Sequence, residues 1–263
     1  MDKRKVIYYR SETEEFSTAR IDPKKIDGSY RYERSSFLDR IARVFWYRVI
    51  ATPLAFLYTK LKFGHGTVNR RVLKPYRKKG FFIYGNHTQD IGDPLMPNMF
   101  CFPKDVYFIV HPNNVSMPFL GRINPYLGAI PIPDDMQAYR NFLSCVEKRI
   151  KEGHAVVIYP EAHIWPYYTG IRDFPDVSFG YPVRMDAPVF CFTNTYQKRR
   201  FCREPRIVTY IDGPFFPDKA LPPKKRAKVL RDQVYEKMCE RAKVSNVRII
   251  EYIKKDDRTG NGD

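Results

Sequence analysis

Downstream of Gly64 the chain alternates short apolar runs with helix-spaced stretches, and this alternation constrains the fold more than any other feature. The runs Phe81–Tyr84, Val106–Val110, Ala129–Ile132, Ala155–Tyr159, Val189–Phe192 and Ile207–Ile211 read as strands. Between them, Asp135 to Lys151 reads as a helix, with Tyr139, Phe142, Val146 and Ile150 on one face and Arg140, Glu147 and Lys151 off it. A basic helix is expected within Ala220 to Ala242, starting after Pro223. Strands alternating with helices predict an α/β fold, a mostly parallel central sheet flanked by helices.

Ahead of that pattern lie two other kinds of sequence. Residues 1–36 are polar and without period, and are expected to form an arm whose order depends on what it docks against. Residues 37–63 turn apolar and aromatic. Phe37, Ile41, Val44 and Phe45 follow helical spacing, Arg40, Arg43 and Arg48 lie toward the other side, and Pro53 interrupts before a second piece, Leu54 to Leu61. Such a segment either packs into a core or anchors at a membrane interface with its cations toward anionic lipid. The expected division is arm 1–36, amphipathic helical segment 37–63 and α/β domain 64–263.

Lys and Arg number 46 against 29 Asp and Glu, a formal charge of +17, which calls for an anionic partner such as nucleic acid or an acidic membrane. No RRM signature or helix-turn-helix is present, and the basic residues are spread along the chain, so nucleic acid is not the expected partner. The five cysteines form no C-x-x-C pair and read as reduced thiols of a cytoplasmic protein, with no metal site expected. Neither a signal peptide nor an apolar run long enough to span a bilayer is visible.

The G-x-S-x-G elbow, the G-x-x-x-x-G-K-[ST] loop and H-E-x-x-H are all missing, and Gly64-His65-Gly66 lacks the third glycine of a dinucleotide loop. What remains is polar chemistry at strand ends, where open α/β sheets bind ligands. One end, Asn86-His87-Thr88-Gln89-Asp90-Ile91-Gly92-Asp93-Pro94, delivers a histidine and two carboxylates ahead of a helix expected from Pro94. Another, Tyr159-Pro160-Glu161-Ala162-His163, delivers a glutamate and a histidine. A histidine steered by a carboxylate is suited to general-base catalysis on a hydroxyl. Equally, Asp93 before Pro94 is the pattern of a helix N-cap, and a lone loop histidine is commonly structural.

In these residues the chain resembles the glycerolipid acyltransferase family, whose members include 1-acylglycerol-3-phosphate acyltransferases. Asn86-His87 to Asp93 is similar to the N-H-x-x-x-x-D block, with five residues between His and Asp in place of four. Gly121-Arg122 with Leu127-Gly128-Ala129-Ile130-Pro131-Ile132 is similar to the second block, Tyr159-Pro160-Glu161 to the third, and Ala187-Pro188-Val189 to the fourth. The resemblance implies transfer of a fatty acyl group from a thioester, acyl-CoA or acyl carrier protein as co-substrate and no other cofactor, to a hydroxyl of a lysophospholipid-type acceptor. It also makes His87 the base and Asp93 its partner, with Asp90 the runner-up. Glu161, His163, Asn86 and Gly128 are expected to line the substrate site. The family's helix pair tips residues 37–63 toward an anionic membrane surface, and the expected location is peripheral, on the inner face of the cell membrane. The arginines that grip phosphate in relatives fall here on Asp134 and Ile164, which leaves Arg122 or Arg172 to substitute. Those departures keep open a catalytically inactive protein that binds lipid or thioester; a basic nucleic-acid-binding module is the third alternative.

Overall fold

The computed structural model describes residues 5–16 and 21–255. The first elements are β1 (Lys5–Tyr9), α1 (Phe37–Arg43), a π-helical stretch (Val44–Ala51), α2 (Thr52–Phe63) and β2 (Gly66–Val68). Then come β3 (Phe81–Gly85), α3 (Gly92–Cys101), β4 (Val106–Val110), α4 (Asn113–Ser116), α5 (Leu120–Ile123) and β5 (Ala129–Pro131). The last are α6 (Met136–Lys151), β6 (Ala155–Ile158), α7 (Gly180–Met185), β7 (Val189–Gln197), β8 (Arg206–Phe215), α8 (Pro223–Ala242) and β9 (Ile250–Lys254).

Seven strands form one sheet in the order β2-β8-β7-β3-β6-β4-β5, parallel at every pairing except β7 with β8. β3 lies at its centre with all five residues buried, which is why its sequence is uninterruptedly apolar. Its side chains alternate between two cores. Phe82 and Tyr84 pack with Phe142 and Val146 of α6 and Leu230, Val234 and Met238 of α8. Phe81 and Ile83 pack on the other face with Phe63, Met96 and Phe100.

Several boundaries differ from expectation for local reasons. α6 begins at Met136 because the Asp135 side chain caps it, accepting from Ala138 N–H. α3 starts at Gly92, so Asp93 lies inside its first turn instead of preceding the helix. Pro53 does not break the helical segment, since it falls at the start of α2 just after the π-helical stretch. The strands β1, β2 and β9 were not legible. Among the described residues β1 and β9 pair only with each other, tying the arm to the C-terminal end of the described chain. Residues 1–4 and 17–20 of the expected arm lie outside the described residues.

The amphipathic segment is turned opposite to expectation. Arg43 (3.1 Å) and Arg48 both bond Asp105, so these cations face the protein. Tyr47 is buried against Asn98 and receives Val106 N–H at 2.8 Å. The apolar side looks outward, with Phe37 70%, Leu38 74% and Leu61 70% exposed and Val44, Phe45, Val49, Leu54, Phe56 and Leu57 about half exposed. A patch of that extent is uncommon on a soluble surface. Among the described residues no helix is long and apolar enough to cross a membrane.

Candidate active site

β3 runs between β6 and β7, so its C-terminal end meets residues from both neighbours. Gly85 ends the strand under the Phe192 ring, where an added Cβ would stand 2.1 Å from Cζ. The ladder continues through a side chain. Asn86 Nδ2 donates to Asn194 O (3.1 Å) and its Oδ1 accepts from Asn194 N–H (2.8 Å). Asn86, expected in the substrate site, is thus a buried strand-end clamp whose amide is taken up by the Asn194 backbone.

The next residue, His87, is the expected base. His87 Nδ1 lies 2.8 Å from Asp93 Oδ2. That same oxygen accepts Thr88 N–H (2.8 Å) and Gln89 N–H (2.9 Å), and Oδ1 accepts from Asn194 Nδ2 (3.3 Å). An oxygen surrounded by donors acts as acceptor, so Nδ1 carries the hydrogen, and in the neutral ring it is Nε2 that holds the lone pair. Asp93 is fully buried, whereas the imidazole keeps 18% of its side-chain surface accessible. The Tyr159 ring stacks on the imidazole at 4.4 Å and 18°, with its hydroxyl donating to Asp93 O at 2.6 Å. Burial holds the Tyr159 phenol far above its ordinary pKa, keeping it a donor.

Behind Asp93 a buried polar chain runs across β7 and β8. Thr209 Oγ1 donates to Asn194 Oδ1 (2.6 Å) and lies 2.8 Å from His65 Nε2. His65 is 2% exposed, and burial, then the charges of Lys60 and Arg206, depress its pKa to about 4. A neutral His65 that donates from Nε2 satisfies Thr209, which in turn fixes the Asn194 amide with Nδ2 toward Asp93.

Other expected site residues hold different positions. Asp90 does not partner the imidazole; it is exposed at the turn before α3. Its carboxyl pKa is raised, first by lost hydration and then by the Glu15 and Asp93 charges. Glu161 accepts His87 N–H (3.3 Å), Arg172 N–H (3.3 Å) and the Arg172 guanidinium (2.8 Å). Burial pushes its carboxyl above the usual range, and Arg172 pulls against that. Arg172 is 2% exposed and also donates to Glu12 O (3.1 Å) and to His163 O. It is therefore an internal brace for the Glu161 loop and not a phosphate contact, a correction of the expected substitution. Gly128, at φ +99°, lies where a Cβ would stand 2.4 Å from Val106 O, so glycine is required there for β5 to approach β4. Arg122 is exposed on α5, and His163 Nδ1 stands 3.5 Å from a Glu15 carboxylate oxygen.

The arm takes both positions at which the resemblance led to an expectation of arginine. Asp134 Oδ2 accepts Ile26 N–H (2.6 Å) and its own N–H donates to Ile26 O (3.0 Å). Ile164 N–H meets both Glu15 carboxylate oxygens at 3.2 Å, and Phe16 N–H donates to Ile164 O (3.3 Å). Trp165 stacks on Tyr252 of β9, donates from Nε1 to Glu14 O (2.8 Å), and donates its N–H to His87 O (3.1 Å). Arm, C-terminal strand and His87 thus meet on one tryptophan. Among the described residues no three His, Cys, Asp or Glu stand together to hold a metal ion.

Sequence reasoning did not single out Asn194 or Thr209, and it met Tyr159 and His65 only as members of motifs, with no role of their own. Asn194 left no more than a polar run with Thr193 and Thr195 directly after an apolar strand, with nothing in the sequence to tie it to Asp93; all three are buried.

Residues 65–190 match the model of the family described as Acyltransferase. No curated protein matches the chain. Among solved structures, it is similar to the 1-acyl-sn-glycerophosphate (LPA) acyltransferase PlsC from Thermotoga maritima, at 16% identity and a TM-score of 0.47, covering 80% of this chain and 97% of that one.

Proposed function

We propose that the chain, whose residues 65–190 match the Acyltransferase family model, moves a fatty acyl group from a thioester to the hydroxyl of a lysophospholipid-type acceptor, with His87 as general base. The observation that carries this is the 2.8 Å contact of His87 Nδ1 with Asp93, a buried carboxylate that is itself held by three further donors.

In this reading the acceptor hydroxyl gives its proton to Nε2 as its oxygen attacks the thioester carbonyl carbon. Asp93 stabilises the imidazolium that results. The carbon–sulfur bond then breaks, the acyl ester is released, and the thiolate takes the proton back from Nε2. No bond to the protein forms. General-base assistance of this kind contributes roughly 10²–10⁴-fold. The departures at Asp134 and Ile164 are taken up by the arm and leave the His87–Asp93 pair intact, which favours the enzyme over an inactive relative.

The exposed apolar side of residues 37–61 supports a peripheral seat on a bilayer, and the +17 charge suits an anionic one. The test is to mix the purified protein with acyl-CoA and lysophosphatidate or other lysolipids on vesicles, following free thiol and acylated lipid by mass spectrometry. Acylated lipid formed mole for mole with thiol is expected. Thiol release without any acylated lipid, or no release with either a CoA or a carrier-protein thioester, would refute it.

A further inference from the structure

Away from His87, the structure has a second concavity. It lies between the turn that joins β7 to β8, the segment after α8, and the first residue of β1. The cleft encloses about 1630 Å³, above the size common for small-molecule pockets. Seven of its lining side chains are Lys or Arg and one, Glu251, is acidic. The chain as a whole has 46 cations to 29 acids, so this wall is far more one-sided than its composition requires.

Of the seven, Arg199 is engaged, donating to Lys62 O at 2.9 Å. The other six are Lys5, Lys198, Arg200, Arg203, Lys243 and Arg248. Among the described residues none of these six is ion-paired with a carboxylate. Like charges gathered round one recess repel one another, a cost that a bound polyanion reverses. Phe201, 88% exposed with the Arg200 guanidinium 5.2 Å from its ring centre, offers a flat face beside them. Aromatic rings flanked by cations accept nucleobases by stacking.

The cleft also adjoins the catalytic loop. Tyr168 lines it, and Trp165, three residues earlier, donates its N–H to His87 O. Three residues of chain span at most about 11 Å, so the Tyr168 edge of the cleft lies within a short reach of the residue that bonds His87. A bilayer surface would not enter such a recess, whereas a compact polyphosphate would.

We propose that this cleft binds the phosphate-bearing, nucleotide-type handle of a small acyl-thioester donor. The inference rests on the thioester reading of the active site, and its test separates the two. Free coenzyme A, which carries the phosphates without the acyl group, is titrated calorimetrically into the protein and into a Lys243→Glu, Arg248→Glu double variant. Binding to the unaltered protein is expected to weaken as salt rises, and the variant to bind at least roughly tenfold more weakly. In parallel, kcat/KM is measured for acyl-CoA and for acyl-pantetheine, which lacks the phosphates, and the ratio of the two is expected to fall about tenfold in the variant.

An unchanged dissociation constant or an unchanged ratio overturns the proposal. So does loss of binding to phosphatidylglycerol vesicles, or of turnover of an acyl carrier protein thioester, at undiminished coenzyme A affinity. Should the variant not fold, the salt dependence of coenzyme A binding to the unaltered protein decides, and salt-independent binding overturns the proposal. If the protein turns over no thioester at all, the acyl-transfer reading fails, and coenzyme A binding still decides the cleft.

Discussion

Replacing Asp93 by Asn removes one charge at unchanged volume, and the hydrogen bonds around the carboxylate dictate the consequence. Asp93 Oδ2 serves three donors, His87 Nδ1, Thr88 N–H and Gln89 N–H, while Oδ1 serves Asn194 Nδ2. An Asn at 93 has one oxygen for both sides. With that oxygen toward His87, its amide hydrogens confront those of Asn194. Relief then needs Asn194 to flip, Thr209 to turn its hydroxyl and His65 to change tautomer, because all three are linked at 2.6–2.8 Å. With the amide toward His87 instead, the imidazole must present Nδ1 as acceptor and carry its hydrogen on Nε2, where no base remains. Either way the imidazolium loses its counter-charge. Such a change in carboxylate–histidine pairs lowers kcat by about 10²–10⁴, or about 3–5 kcal/mol of barrier. Thiol release followed from pH 5 to 9, with ring-nitrogen NMR of His87 to report the tautomer, checks both halves. Turnover within about threefold of the unaltered protein, with Nδ1 still protonated, would show that the carboxylate neither steers nor stabilises the imidazole.

The remaining expectations concern stability, burial and the membrane face. His65, neutral in the fold with a pKa near 4 against an ordinary 6.5, is protonated more readily once unfolded, so its contribution is complete above pH 6.5 and is lost as pH falls toward 4. The difference is about 3 kcal/mol, and urea titrations at pH 7 and pH 4.5 should show a smaller drop for His65→Gln than for the parent. Arg172→Met leaves Glu161 buried without its cation, which should cost about 3–5 kcal/mol in urea denaturation; a change below about 1 kcal/mol would contradict the brace role. Leu57→Glu with Leu61→Glu alters exposed positions, so melting should hardly move while partition onto anionic vesicles falls at least about tenfold. Equal partition would place the membrane contact elsewhere.

How much of this was legible in sequence depended on how local the cause was. The central strands announced themselves because β3 and β6 are buried on both faces and therefore read as unbroken apolar runs. β2, with three residues, and β1 and β9, half exposed, bury too little to leave a pattern. His87 and Asp93 were legible because only a short stretch of chain separates the strand end from the first turn of α3. Asn194 was not, because its partners Asn86 and Asp93 are more than a hundred residues away and only the β3–β7 pairing brings them together. Arg172 illustrates the reverse error. A lone arginine near a proposed phosphate site invites a binding role, yet its cation compensates Glu161 in the interior. The helical segment misled for a related reason. Helical spacing shows that Arg43 and Arg48 share a side but not which side meets the protein, and that was decided by Asp105, about sixty residues downstream.

The sharpest check on the base is thiol release from acyl-CoA in the presence of a lysophospholipid, compared between the unaltered chain and His87→Ala. A loss of at least about 100-fold in kcat is expected, with the fold retained by circular dichroism. Turnover undiminished by removal of the imidazole would show that the proton is taken by some other group, and the role assigned to His87 and Asp93 would be wrong.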